Sequence, residues 1–170
     1  MIKNNKPQFG KLPPKYSFVI NPYPDMRISS CPVCERKTGQ RKIPLLIHVS
    51  QMHLIALNYT CRYCKSCDLL IAHKHEIEHL LTSLFSQKEP ETVGSKYLII
   101  GTIEKSSWRQ AQQQESSVKE MLPHASDFAV FYPELRVSRP GWYKTGQDAP
   151  LMEPPLSQEW VKSGKIKHQQ

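Results

Sequence analysis

Five cysteines carry the most evident chemistry in this sequence. They fall in two close groups, Cys31-Pro32-Val33-Cys34 and Cys61-Arg62-Tyr63-Cys64-Lys65-Ser66-Cys67. A C-x-x-C turn brings two sulfurs to one side, and two such turns can close a tetrahedral site of four thiolates around zinc. An odd number of cysteines in two tight clusters fits thiolates on a metal. A secreted disulfide framework would pair evenly and spread along the chain. Cys31, Cys34 and Cys64 are the expected ligands. The fourth place is open between Cys61, which directly follows a β-prone run, and Cys67, which directly precedes one. The thiol left over is a buried bystander, a redox-sensitive residue or an alternate ligand. One Zn2+ in a structural role is expected, because every position closes with thiolate and none is left for a reacting water.

A second constellation is His75-Glu76-Ile77-Glu78-His79, which matches H-E-x-x-H. On a helix the two imidazoles could share a metal, with Glu76 as general base of a metallohydrolase. Three features weigh against it. Glu78 puts a charge inside the motif, His75 falls in the first helical turn, and no third ligand follows at a suitable spacing. A solvated first turn with acidic residues favoured by the helix dipole accounts for the same residues. A further metal site on His73, His75 or His79 has little more support. No Ser/His/Asp or paired-carboxylate arrangement stands out, and Gly101 sits in no phosphate-loop motif.

The third constellation is cationic. Arg36, Lys37, Arg41 and Lys42 follow the first cysteine pair, and Arg62, Tyr63 and Lys65 lie within the second group. Placed together they form a basic rim of phosphate-contacting cations with one aromatic for base stacking. The charge supports this grouping. The chain has a formal net charge of +8, and residues 1–30 carry five Lys/Arg against one Asp, residues 31–67 six against one Glu. Such a patch is the electrostatic footprint of a polyanion partner, although a solvated basic rim has the same composition.

Elements must position these groups. Tyr16–Asn21 reads as a short strand. Lys42–Val49 and His53–Thr60 read as an antiparallel hairpin turning at Ser50-Gln51-Met52, and Asp68–His73 as a third strand. Between Lys74 and Gln87 the period changes: Ile77, Leu80, Leu81 and Leu84 form a helical stripe. Lys96–Ile103 reads as a strand, and Ser106 or Ser107 caps a helix running toward Met121 that Pro123 stops. Asp127–Val137 suggests a short helix or strand. Trp108, Trp142 and Trp160 read as packing anchors.

The arrangement of two cysteine turns at one end of a hairpin plus a third strand resembles the zinc ribbon, over roughly residues 16–73. The wider sequence resembles a group of bacterial zinc-ribbon proteins with no assigned activity. That resemblance rests on Asn21-Pro22-Tyr23, Arg41-Lys42-Ile43-Pro44-Leu45, Asn58 through Leu70, Tyr97 through Gly101-Thr102, and Trp108-Arg109. It implies the ribbon fold and its zinc and leaves activity open.

The expected fold class is therefore α+β: an N-terminal zinc ribbon with a three-stranded antiparallel sheet, then a helix and a small strand-helix extension. The expected units are a flexible basic arm at 1–15, ribbon plus helix at 16–87, the extension at 96–139 and a poorly ordered tail at 140–170. A chain of 170 residues with 39% hydrophobic content and 14 prolines supports one modest core with much irregular structure. It lacks the ~18 consecutive apolar residues of a membrane span. The polar start, Met1–Leu12, has no apolar stretch of a secretory signal, so a cytoplasmic location is expected. The functional expectation is a non-enzymatic, structural-zinc module of the zinc-finger class. Its basic rim would contact nucleic acid or a ribonucleoprotein, with no small-molecule substrate. The alternative is a protein-interaction adaptor, with Pro150–Pro155 as part of its docking surface.

Overall fold

In the computed structural model, which describes residues 8–50, 53–114, 117–132, 135–139 and 141–153, the two longest β-prone runs pair as the expected hairpin. Strand β2 (Gly39–Val49) lies antiparallel to β3 (His53–Cys64), in register from Gly39 opposite Tyr63 to Val49 opposite His53. β4 (Leu69–His73) adds antiparallel to the far end of β3, and β1 (Ser17–Asn21) lies parallel to β4. On the other side of the hairpin, β5 (Tyr97–Ile103) pairs antiparallel with β2, followed by β6 (Ala125–Asp127). β7 (Val130–Phe131) pairs with β1. The result is one seven-stranded mixed sheet in the order β6-β5-β2-β3-β4-β1-β7. Helices α1 (Lys74–Phe85) and α2 (Lys105–Gln114) complete a mixed α+β fold, with short 3-10 segments at Pro90–Thr92 and Val118–His124.

The three-stranded antiparallel sheet expected from the sequence lies within this larger topology. β2, β3 and β4 do form an antiparallel trio, but as the middle of a larger sheet that β5 extends directly. The reason lies in β2. Leu45, Leu46 and Ile47 are consecutive and none is exposed to solvent. A continuous apolar run needs cover on both faces, which makes β2 a central strand.

The sheet is curled. β6 and β7 are its opposite edges, yet only Phe128 and Ala129 separate them along the chain. Three residue steps reach at most about 11 Å, so the edges must come round to meet. The crossing is hydrogen-bonded on both sides: the Phe128 amide donates to the Ile100 carbonyl at 3.0 Å, and the Ala129 amide to the Tyr16 carbonyl at 2.8 Å. The Phe18 and Phe128 rings stack across the seam with centroids 4.5 Å apart. The segment Asp127–Val137 serves as this seam, with two short strand pairings and no helix among its described residues. Gly101 belongs to the same closure. A Cβ there would overlap the Ser126 carbonyl and sit 2.7 Å from Asp127 Cα, so β6 approaches β5 at this point only over a glycine. Residues 8–15, at the end of the expected arm, run along β6. Lys11, Leu12 and Lys15 amides donate to the Leu122, Ala125 and Asp127 carbonyls.

Strand parity decides which side chains meet. Ile43, Leu45, Ile47 and Val49 of β2, Tyr59 and Cys61 of β3, Leu70 and Ala72 of β4, Phe18 of β1 and Ile99 of β5 share the concave face. α1 closes that face with Ile77, Leu81 and Phe85, one residue per turn, while Leu84 of the expected stripe stays 46% exposed. The convex face carries two separate clusters; on β5 a register shift opposite Leu46/Ile47 puts Ile103 there although it shares the parity of Ile99. One joins Leu46, Ile100 and Ile103 to Ala111 of α2, Met121 and Ala125. The other joins Val19, Leu69 and Ile71 to Ile28, Leu135 and the cysteines. α2 is described as far as Gln114, with Ala111 its one buried residue, and the expected Met121 lies instead in the 3-10 segment. Burial resumes at Met121 in the 3-10 segment, which accommodates Pro123. Trp108 packs against the α2 cluster, Trp142 is 96% exposed and anchors nothing, and Trp160 lies outside the described residues. Of the expected tail, residues 141–153 loop back: Leu151 bridges to Ser138, and the Tyr23 hydroxyl donates to the Met152 carbonyl at 3.3 Å. Among the described residues no helix is long and apolar enough to cross a membrane.

Candidate metal centre

Two tight turns of the same design meet beside the convex cluster. In the first, residues 29–38 fold back on themselves. Thr38 donates its amide to the Ser29 carbonyl at 2.9 Å, Cys31 to Arg36 at 2.8 Å, and Glu35 to Cys31 at 2.9 Å. Cys31 and Cys34 sit on the tip of this ribbon. In the second, β3 ends at Cys64 and the chain turns through residues 65–68 into β4. Each turn is completed by an acidic residue in the left-handed region directly after its second cysteine: Glu35 at φ 65° and Asp68 at φ 52°. A residue there reverses the chain at once, which leaves the two preceding sulfurs on the inner side.

The sulfurs converge. The Sγ atoms of Cys31, Cys34, Cys64 and Cys67 all lie within 4.8 Å of one another, with Cys34–Cys64 at 3.5 Å and Cys31–Cys67 at 3.9 Å. A disulfide would need about 2.05 Å. Four thiolates at ~2.3 Å from one tetrahedral ion stand about 3.8 Å apart, and the two pairs bracket that value. Amides face the sulfurs as well. The Val33 amide donates to Cys31 Sγ at 3.4 Å. The Arg36 amide beside Cys34 favours its thiolate and draws its pKa down to about 7. The thiol neighbours, Cys34 first, and then burial push Cys67 up to about 12, and burial raises Cys64. Four thiols this close cannot all ionise without a cation among them, so the donor set fits a thiolate-binding metal ion.

Cys61 does not join them. It has no exposed surface, belongs to the concave core, and burial pushes its thiol up to about 12. The cause is strand parity. Residues 61 and 64 are three apart on one extended strand, so their side chains leave opposite faces. A C-x-x-C gathers sulfurs only where the chain turns, and the turn lies at Lys65–Asp68.

The cations of the expected rim separate into two sets. Arg62 points inward: its Nε and Nη2 donate to the Ile28 carbonyl, the Thr38 carbonyl and Thr38 Oγ1 at 3.0–3.2 Å. It is a strut between β3 and the first turn. Arg36 reaches from the first turn to the second, donating from Nη1 to Ser66 Oγ at 2.9 Å. Tyr63 donates its hydroxyl to Asp68 at 2.6 Å, and the Arg41 guanidinium covers its ring at 4.1 Å. Arg41 is held in turn by the Tyr16 hydroxyl at 3.0 Å. Lys37, Lys42 and Lys65 stay exposed. The struts Thr38 and Ser66 carry no motif. Thr38, 4% exposed among polar neighbours, is recognisable only once the fold is known.

The H-E-x-x-H residues occupy the first turns of α1, with His75, Glu76 and His79 exposed. Glu76 accepts the Tyr59 hydroxyl at 2.5 Å, and Glu78 accepts that of Tyr97 at 2.9 Å. His73 turns to the Pro24 carbonyl, 3.1 Å away. Among the described residues, the four cysteines are the one group of three or more His, Cys, Asp or Glu side chains whose ligand atoms converge. The histidines therefore gather no third ligand there.

Comparison of the chain with protein-family models, curated proteins and solved structures finds no match.

Proposed function

We propose that this chain is a non-enzymatic binding module whose cysteine turns are fastened by one structural zinc ion. The observation that carries the reading is the convergence of four sulfurs from two turns, at spacings suited to a single tetrahedral ion. Thiolates select a soft or borderline metal, and a four-thiolate set completes zinc's coordination with no position left for substrate or water. The ion fastens residues 29–38 to the end of β3, where the convex cluster is small and cannot hold the ribbon alone. The proposed partner is nucleic acid, alone or in a ribonucleoprotein. What supports it is the net charge of +8 and the exposure of Arg36, Lys37, Lys42 and Lys65 around the cysteine turns and β2. The test is binding of mixed-sequence RNA and DNA oligonucleotides by the zinc-loaded chain. Binding that weakens steeply with salt is expected. Absent binding at low salt, or binding indifferent to salt, overturns the nucleic-acid reading and leaves the zinc scaffold standing.

A further inference from the structure

The strongest unexplained feature is a groove at the rim of the curled sheet. β5 pairs with β2 only from Leu45 to Val49, so residues 39–44 of β2 have β3 on one side and no described strand on the other. The gap is walled by Leu12–Tyr16 and by the end of β5 running into α2, and encloses about 900 Å³. Ile43 forms an apolar floor.

Its charge is one-sided. Lys15, Arg41, Lys42 and Lys105 line the groove from three separate segments, with Glu104 as the single acid among the lining residues. Glu104 is already engaged, 3.5 Å from His124 and accepting the Ser107 hydroxyl at 3.4 Å. None of the four cations forms an ion pair with a described residue. Arg41 is positioned by Tyr16 and Tyr63, which uses one of its five N–H donors on the Tyr16 hydroxyl and leaves the rest. The start of α2 at Lys105 adds its partial positive charge to the same wall. Low-dielectric walls focus such a field and gather anions.

From this we infer that the groove, rather than the tips of the cysteine turns, is where a single-stranded nucleic acid lays its phosphate backbone. The inference rests on the nucleic-acid reading above and places its contact surface. A concave channel admits a flexible strand, whereas reading a duplex calls for a helix or ribbon that projects into its groove. Recognition is by phosphate and not by base stacking. Tyr16 is 6% exposed, and the face of Tyr63 is covered by Arg41, so neither ring is free for a base.

The experiment is fluorescence anisotropy of the zinc-loaded full chain with labelled mixed-sequence single-stranded RNA and DNA and with duplex DNA, from 50 to 200 mM salt. With each contacted phosphate contributing about −0.7 to the salt slope, four cations give a slope near −2.8, a roughly 50-fold loss over that range. K42E/K105E is expected to weaken single-strand binding at least tenfold at 50 mM salt, and K37E/K65E about threefold or less. A larger loss in K37E/K65E, equal losses in the two variants, or preference for duplex overturns the groove while leaving the nucleic-acid reading intact. No binding by the unmodified chain overturns both.

Discussion

Replacing Arg62 with methionine separates a structural cation from a binding one. The side chain is half-buried and its guanidinium makes four contacts at 3.0–3.2 Å with the Ile28 carbonyl and the carbonyl and hydroxyl of Thr38. Methionine preserves most of the aliphatic stem and removes the donors. The Ile28 carbonyl keeps the Thr38 hydroxyl as a donor at 2.6 Å, so the Thr38 carbonyl bears the main loss. Thr38 is 4% exposed, and an orphaned buried carbonyl costs ~1–3 kcal/mol. The expected destabilisation is about 2 kcal/mol, taken near the middle of that range because the guanidinium itself is partly solvated. Urea denaturation of the zinc-loaded protein measures it as a lowered midpoint at unchanged slope. Amide exchange should quicken in residues 29–38 while α1 keeps its protection. The same variant should bind oligonucleotide with an unchanged salt slope, because Arg62 meets no phosphate. Stability within 0.5 kcal/mol of the parent, or a slope shallower by ~0.7, would refute the strut and return Arg62 to the rim.

Two further substitutions examine the closure of the sheet. Gly101→Ala forces a Cβ against the Ser126 carbonyl, backbone that has no room to yield, and is expected to lower stability by ~1–3 kcal/mol in a thermal melt. Leu81→Ala removes a fully buried α1 residue from the concave core and should cost ~2–5 kcal/mol by urea denaturation, with zinc content unchanged.

The local patterns were legible and the long-range pairings were not. The Ile77–Leu81 stripe marked α1 and the β-prone runs marked the hairpin, because both follow from side-chain period alone. The choice between Cys61 and Cys67 turned on where the strand ends, which the sequence left open. Leu57, Tyr59 and Cys61 alternate on one face of a run that continues past Thr60 to Cys64, and that parity puts Cys61 in the core. Nothing local announces that β5 joins β2, that β1 lies parallel to β4, or that Phe128 and Ala129 bridge the two sheet edges. Those depend on contacts distant in sequence, with Gly10 and Gly101 marking the close approaches to β6. The groove has no local signature for the same reason: Lys15, Arg41 and Lys105 belong to three segments that only the curl assembles.

Four particular sulfurs, those of Cys31, Cys34, Cys64 and Cys67, are proposed to share one ion. Elemental analysis of purified chain, parent against Cys61→Ser and Cys67→Ser, tests it most directly. One zinc per chain is expected in the parent and in Cys61→Ser, the latter less stable by ~1–3 kcal/mol for a hydroxyl buried without a partner. Cys67→Ser should lose most of its zinc and the order of residues 29–38. Zinc retained in Cys67→Ser and lost in Cys61→Ser, or no metal in the parent, would contradict the site described.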